Sequence, residues 1–251
     1  MISIKNSEEL KKMRVAGKIL ASVAKEVIAM AGVGVNLRTL DQAAKSLIMK
    51  AGGEPAFLGY KPYGAAKPYP CSICASVNEV VVHGVPRAYK LKSGDLLKLD
   101  FGVKYQGYHA DAAWTIPIGK VSPTAVKLIE TTRNALIVAV KQCKTGHTLG
   151  DLGFAIQNYV EKHGFKVVKG LTGHGIGREL HEDPSVYNDG QKGKGIKLEA
   201  GMVLAIEPMV SAGKADIVQL DDDSYATEDG SLSAHFEHTV VITDNGPEIL
   251  T

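Results

Sequence analysis

A chain that matches itself over two long blocks is constrained to fold as two copies of one unit, and this 251-residue sequence does so. Adding 112 to the residue number takes Gly34 to Gly146, Leu37 to Leu149, Leu40 to Leu152, Ala43 to Ala155, Ile48 to Val160 and Gly52 to Gly164 without a gap. Across a loop the offset becomes 107, where Leu91-Lys-Ser-Gly94 matches Leu198-Glu-Ala-Gly201 and Lys98-Leu-Asp100 matches Ala205-Ile-Glu207. The first block carries helical periodicity and the second strand patterning, so each half reads as helix, helix, strand. The expected class is α+β, one domain over 1–251 with pseudo-symmetric halves at about 1–119 and 120–251. An acidic residue stands at the same strand position in each half, Asp100 and Glu207.

Ser7 and the glutamates after it, followed by Leu10, Met13, Leu20, Val27 and Ile28, predict a helix ending near Gly32. A second helix runs from Asn36 to Lys50 and stops at Gly52-Gly53. Ser122-Pro123 opens a third that continues to Val140, and Thr148 to His163 forms a fourth ending at Gly164. With 45% hydrophobic and 22% charged residues the chain can bury a large core. The longest apolar runs, Ala135–Val140 and Met202–Ile206, are too short to span a bilayer. Three cysteines do not describe a disulfide framework, and the start has no apolar stretch behind a basic cap, so a cytoplasmic protein without a signal peptide is expected. Net charge +2 gives no mandate for nucleic-acid binding, and Arg87–Lys92 and Gln191–Lys197 read as solvated loops.

Leu96–Val103 and Tyr108–Ile116 pattern as strands joined by a turn at Tyr105-Gln106-Gly107. Asp100 and Asp111 are equidistant from the Tyr105/Gln106 midpoint, which puts them directly opposite, with Cβ atoms roughly 4.5–5.5 Å apart. Two carboxylates that close repel unless a proton or a cation lies between them. In the second half Glu207 and Glu237 also sit on or beside apolar strands, where a carboxylate needs a partner. His174 lies in Leu171-Thr-Gly-His-Gly-Ile-Gly177, read as a glycine-rich loop that turns sharply and offers the imidazole to a ligand. Asp100, Asp111, His174, Glu207 and Glu237 make a mostly hard-oxygen donor set, suited to a pair of Mn, Fe, Co or Zn ions.

The blocks Ser76–Pro86, Asp100 with Asp111, Gly173–Arg178 through His181–Pro184, Ile206–Met209 and Ser231–Thr239 resemble type I methionine aminopeptidase, in the family's order and over essentially the whole chain. Only 26 residues separate His181 from Glu207, leaving no room for the helical insertion of the type II enzymes. The resemblance implies the pita-bread fold, a dinuclear centre held by the five residues above, and removal of N-terminal methionine ahead of a small second residue. It implies that Glu207 also accepts a proton from the attacking water. His181 would polarise the scissile carbonyl, and His83 would hold the leaving-side amide. Both histidines precede a proline by three residues, as a pseudo-symmetric pair would. Phe57, Tyr60 and Cys74, with Leu180, match the family's methionine pocket. Partners implied are the N-terminal segments of nascent polypeptides, with the protein a monomer and ribosome docking left open.

The sequence departs from the family at Lys61–Pro70, a Pro/Tyr-rich stretch expected to form a rim at the pocket, and near residues 221–226, where the family's tryptophan is absent and Tyr225 is the aromatic present. Two other readings stay open. One is an X-Pro aminopeptidase or prolidase, which shares this half but usually adds an N-terminal domain. The other is a non-catalytic binding protein on the same fold.

Overall fold

The computed structural model describes residues 2–61 and 67–251. The chain opens with α1 (Ser7–Met30), α2 (Leu37–Lys50), β1 (Glu54–Pro55), β2 (Ile73–Val77), β3 (Val80–Val82), β4 (Leu96–Tyr105) and β5 (Tyr108–Pro117). It continues through α3 (Pro123–Val140), α4 (Leu149–Lys162), β6 (Lys166–Val167), β7 (Thr172–Gly175), β8 (Glu182–Tyr187), β9 (Val203–Ile206) and β10 (Met209–Ser211). It ends with β11 (Ile217–Gln219), β12 (Tyr225–Thr227), β13 (Ser233–His235), β14 (His238–Thr243) and β15 (Gly246–Ile249). No described helix is long and apolar enough to cross a membrane.

The repeat survives at the level of single hydrogen bonds. Helices α2 and α4 begin and end 112 residues apart, capped by Asn36 and Thr148 and flanked by left-handed glycines, Gly34 and Gly146 on one side, Gly52 and Gly164 on the other. Gly34 N donates to Leu91 O at 2.7 Å, and Gly146 N to Leu198 O at 2.9 Å, so both offsets are obeyed at once. Helix α1 is capped by Asn6 rather than Ser7. The Asn6 side chain accepts from the amides of Glu8 and Glu9, and the Glu9 carboxylate accepts from Asn6 N at 2.8 Å, a closed capping box that Ser7 has no partner to build.

Each half has its own core. One gathers Leu20, Leu40, Ile48, Leu99 and Phe101 beneath α1 and α2, and the other Leu128, Leu152, Ile156, Leu204 and Val240 beneath α3 and α4. Trp114 packs against both, its ring 6.0 Å from those of Phe101 and His238. In the first half β1, β4 and β2 form a sheet with β5 alongside β4; in the second the order is β15-β14-β9-β7-β8.

The halves meet along β5. Ala113 and Glu237 exchange backbone bonds, Glu237 N to Ala113 O at 3.0 Å and Ala113 N to Glu237 O at 3.4 Å. On one side of that pair the Thr239 hydroxyl accepts from Asp111 N and donates to Asp111 O, both at 2.8 Å. On the other, the Thr115 hydroxyl accepts from His235 N at 2.8 Å and donates to His235 O at 2.7 Å. The buried Lys98 ammonium adds a further tie, donating to Asn78 O at 2.6 Å and Ser233 O at 3.3 Å. Thr239→Val, which keeps the shape and deletes the hydroxyl, is expected to cost about 1–3 kcal/mol, the penalty for orphaning buried backbone groups, while Thr239→Ser costs less. Chemical denaturation of the two variants checks this, and equal stability would contradict it.

Candidate metal centre

The β4–β5 hairpin turns on two residues, Gln106 and Gly107, both left-handed at φ 47° and 83°, the primed turn that matches strand twist. Tyr105 therefore pairs with Tyr108, Asp100 with Ala113, and Asp111 with Gly102. This corrects the expected face-to-face pairing of the two aspartates. The slip is two residues, so both carboxylates stay on one face of the sheet as diagonal neighbours. Gly102 matters here, because a Cβ would lie 2.5 Å from the Phe57 ring. Without a side chain at 102, Phe57 can lie across the strand and form part of the cavity wall.

His174 is on strand β7, not in a loop, and is only 9% exposed. The glycines around it permit close strand approach rather than a sharp turn. A Cβ on Gly173 would stand 2.3 Å from Ala205 O, and one on Gly175 2.1 Å from Asp183 O. Glu207 directly follows β9, and Glu237 lies between β13 and β14.

These residues converge. Ligand atoms of Asp111, His174 and Glu237 lie within 4.8 Å of one another, and so do those of Glu207, His235 and Glu237. His174 Nε2 is 3.6 Å from Glu207 Oε1, and His235 Nε2 is 3.4 Å from Glu207 Oε2. Desolvation pushes every carboxyl up: Asp111 and Glu237 go well above the usual range, with repulsion from neighbouring carboxyls adding to burial, and Glu207 rises to about 7 by burial against the opposing pull of His174. Asp100 rises to about 6, first by desolvation, with His235 and Glu207 pulling in opposite directions. Asp100 Oδ1, Asp111 Oδ1, Glu237 Oε1 and His235 Nε2 are buried with no hydrogen-bond partner among the described residues. Four converging carboxyls, three of them with an orphaned oxygen, fit divalent cations, which neutralise the charge and supply the missing contacts. Cys74 stands beside Asp100 in register, but burial and that carboxyl raise its thiol well above the ordinary value, so a thiolate ligand is disfavoured.

A cavity of about 420 Å³ opens over the cluster. Its lining includes Phe57, Tyr60, Cys74, His83, Leu180 and His181, so every residue matched to the pocket reaches it. His83 and His181 are open to the cavity and held neutral, at about 4 and about 3, by desolvation in its walls and then by neighbouring histidines. Register supports their pairing. Cys74 stands opposite Asp100, and extending the β7–β9 pairing sets Thr172 opposite Glu207; the 98-residue step from Cys74 to Thr172 also carries His83 to His181. Tyr225 does not line the cavity; its ring lies edge-on to His83 at 5.8 Å, and Asp221, Asp222 and Asp223 form that part of the rim. Lys67, Pro68, Tyr69 and Pro70 also line the cavity, while residues 62–66 of the expected rim fall outside the described residues. His235 is the site residue that motif reading did not single out. A continued repeat finds it: Asp111 and His235, Ala113 and Glu237, and Thr115 and Thr239 are each 124 residues apart.

The raised carboxyls set a pH dependence. A carboxyl whose folded pKa lies above its unfolded value stabilises the fold at low pH and loses that contribution as pH climbs through the folded value, here from about 6 upward. Lys98, pushed down to about 7 by burial, also titrates in this range, so the telling quantity is the difference that metal makes. The rise in Tm on replacing chelator with zinc or manganese should grow from pH 6 to pH 8, by about 3–5 °C per pH unit for each proton displaced. A constant difference over that range would contradict the centre.

Residues 11–244 match metallopeptidase family M24. A methionine aminopeptidase of Clostridium perfringens is 46% identical over 252 residues, covering 100% of this chain and 99% of its own. The crystal structure of methionine aminopeptidase from Thermotoga maritima superposes with a TM-score of 0.95 at 44% identity, covering 100% of this chain and 99% of that one. The prolidase of Pyrococcus horikoshii is more distant, with a TM-score of 0.76 and 26% identity, and the match covers 99% of this chain but 63% of the prolidase. The chain belongs to metallopeptidase family M24 and, within it, to the methionine aminopeptidases.

Proposed function

We propose that this chain hydrolyses the bond after an N-terminal methionine, preferring a small second residue, with two divalent ions held by Asp100, Asp111, His174, Glu207 and Glu237. The observation that carries the reading is the convergence of four carboxyls, three of them with an orphaned buried oxygen, at the floor of a cavity walled by Phe57, Cys74 and Leu180. Bound there, the ions would acidify a water and withdraw charge from the scissile carbonyl. Glu207, which keeps 12% of its side chain exposed, accepts the proton of that water and returns it to the departing amine. His181 donates a hydrogen bond to the carbonyl oxygen as negative charge develops on it, and His83 holds the amide on the leaving side. The apolar walls take the methionine side chain, and a free amine directed at the carboxylate cluster explains selection for a true N-terminus. We further read the protein as a cytoplasmic monomer acting on nascent chains.

The test combines metal analysis of the purified protein with cleavage of Met-Ala-Ser, Met-Lys-Ser and Ala-Pro-Ser. Release of methionine from Met-Ala-Ser alone supports the reading. Preferential cleavage of the Ala-Pro bond would move the chain to the prolidase side of the family, and no turnover by metal-loaded protein would make it a binding protein.

A further inference from the structure

We infer that Tyr60 is a positioning residue that fixes which ring nitrogen of His181 carries the proton, so that His181 presents Nε2–H to the cavity. The inference rests on the reading of His181 as a group that acts on the substrate carbonyl.

The Tyr60 hydroxyl lies 2.6 Å from His181 Nδ1, with the two ring centroids 5.2 Å apart and tilted by 51°. One hydrogen sits on that axis, and either the phenol or Nδ1 supplies it. The surroundings choose the phenol. Among the described residues His181 Nδ1 is the one acceptor in reach of the Tyr60 hydroxyl, so donation by the phenol makes the single bond the protein offers its proton. The His181 ring also packs edge-on against that of His174 at 4.3 Å, so packing sets its plane and the hydrogen bond is left to set its tautomer. A neutral ring that accepts at Nδ1 carries its single proton on Nε2. The opposite tautomer would turn an Nε2 lone pair toward a carbonyl oxygen and repel it. A carboxylate in place of Tyr60 would orient the ring too, but it would favour the charged form; a phenol orients without charging.

Tyr60 is itself held firmly, directly before the stretch where the sequence leaves its family. Tyr60 N donates to Phe57 O at 2.9 Å, Tyr69 N to Tyr60 O at 2.8 Å, and Gly59 N to Tyr69 O at 2.9 Å. The Tyr69 hydroxyl donates to Gly84 O at 2.9 Å and Ile73 O at 3.2 Å, which anchors this clasp to the backbone beside His83. Tyr69, at the end of the Lys61–Pro70 stretch, therefore bears on the histidines as well as on the rim.

Tyr60→Phe removes only the hydroxyl. In nitrogen-detected imidazole spectra of zinc-loaded protein, the parent should show His181 with Nδ1 unprotonated and Nε2 protonated, and the variant should show the two nitrogens averaging toward each other. The variant should lose about 10- to 100-fold in kcat on Met-Ala-Ser, with KM within twofold and metal content unchanged. In a His181→Ala background the same substitution should cost nothing more, because it acts through the imidazole. A protonated Nδ1 in the parent, an unchanged spectrum in the variant, a full additive loss in the double variant, or a raised KM with kcat intact would each overturn the inference. A parent inactive on Met-Ala-Ser would refute the proposed function, while the spectrum would still decide the tautomer.

Discussion

Glu237→Gln is expected to abolish peptide cleavage, lowering kcat/KM on Met-Ala-Ser by about 10³-fold or more, and to take both metal ions below stoichiometric occupancy. Among the described residues Glu237 alone belongs to both groups of converging ligand atoms, and one of its buried oxygens has no hydrogen-bond partner there. The amide of glutamine offers one neutral oxygen where the centre needs a charged carboxylate, and it turns an NH₂ toward the cations. Partners one shell removed from a metal already cost about 10- to 100-fold when deleted, so a shared ligand must cost more. Asp100→Asn, at a position outside both groups, should empty at least one site and cost less than Glu237→Gln. Elemental analysis beside kinetics separates the cases. Full occupancy and normal turnover in the Glu237 variant would remove it from the centre.

His181→Ala should behave in the opposite way, keeping the metal and losing about 10²- to 10³-fold in kcat, the cost of one donor to a developing oxyanion. His181 lies on the cavity wall and in neither ligand group. Its ring touches that of His174, so the control is metal content measured on the same preparation. Loss of metal in step with activity would reassign His181 as a ligand. A raised KM at constant kcat would make it a ground-state contact only.

The parts of this fold that were legible from sequence are those where periodicity and capping chemistry agree. Helices α2 and α4 carry both, and their bounds were readable to within a residue. The start of α1 is ambiguous in the sequence because Asn6 and Ser7 are both good caps, and only Asn6 finds its reciprocal partner in Glu9. The hairpin register was not legible, for a reason built into strands. Side chains alternate with period two, so a slip of two residues leaves the pattern unchanged while moving Asp111 from opposite Asp100 to opposite Gly102. His174 was misplaced because glycines read as turns, whereas here they admit the backbones of β8 and β9 at distances no side chain would allow. His235 is harder to see in the sequence because the 124-residue offset that relates it to Asp111 begins only after the hairpin.

The reciprocal threonine bonds along β5 suggest what the symmetry of this chain is for. Were two copies of one half-length polypeptide to face each other across a twofold axis, a single threonine per copy would make both grips, since an isologous contact always occurs in pairs. The present chain keeps that pairing intact: Thr115 grips His235 and Thr239 grips Asp111 with matching bonds. What it has abandoned is equivalence of the side chains held. Aspartate faces one way and histidine the other, and alanine on the axis stands against glutamate. A homodimer could not make that distinction, because its copies share one sequence. Joining the halves in a single chain lets the backbone remain twofold while the two sides of the centre differ in charge and donor type.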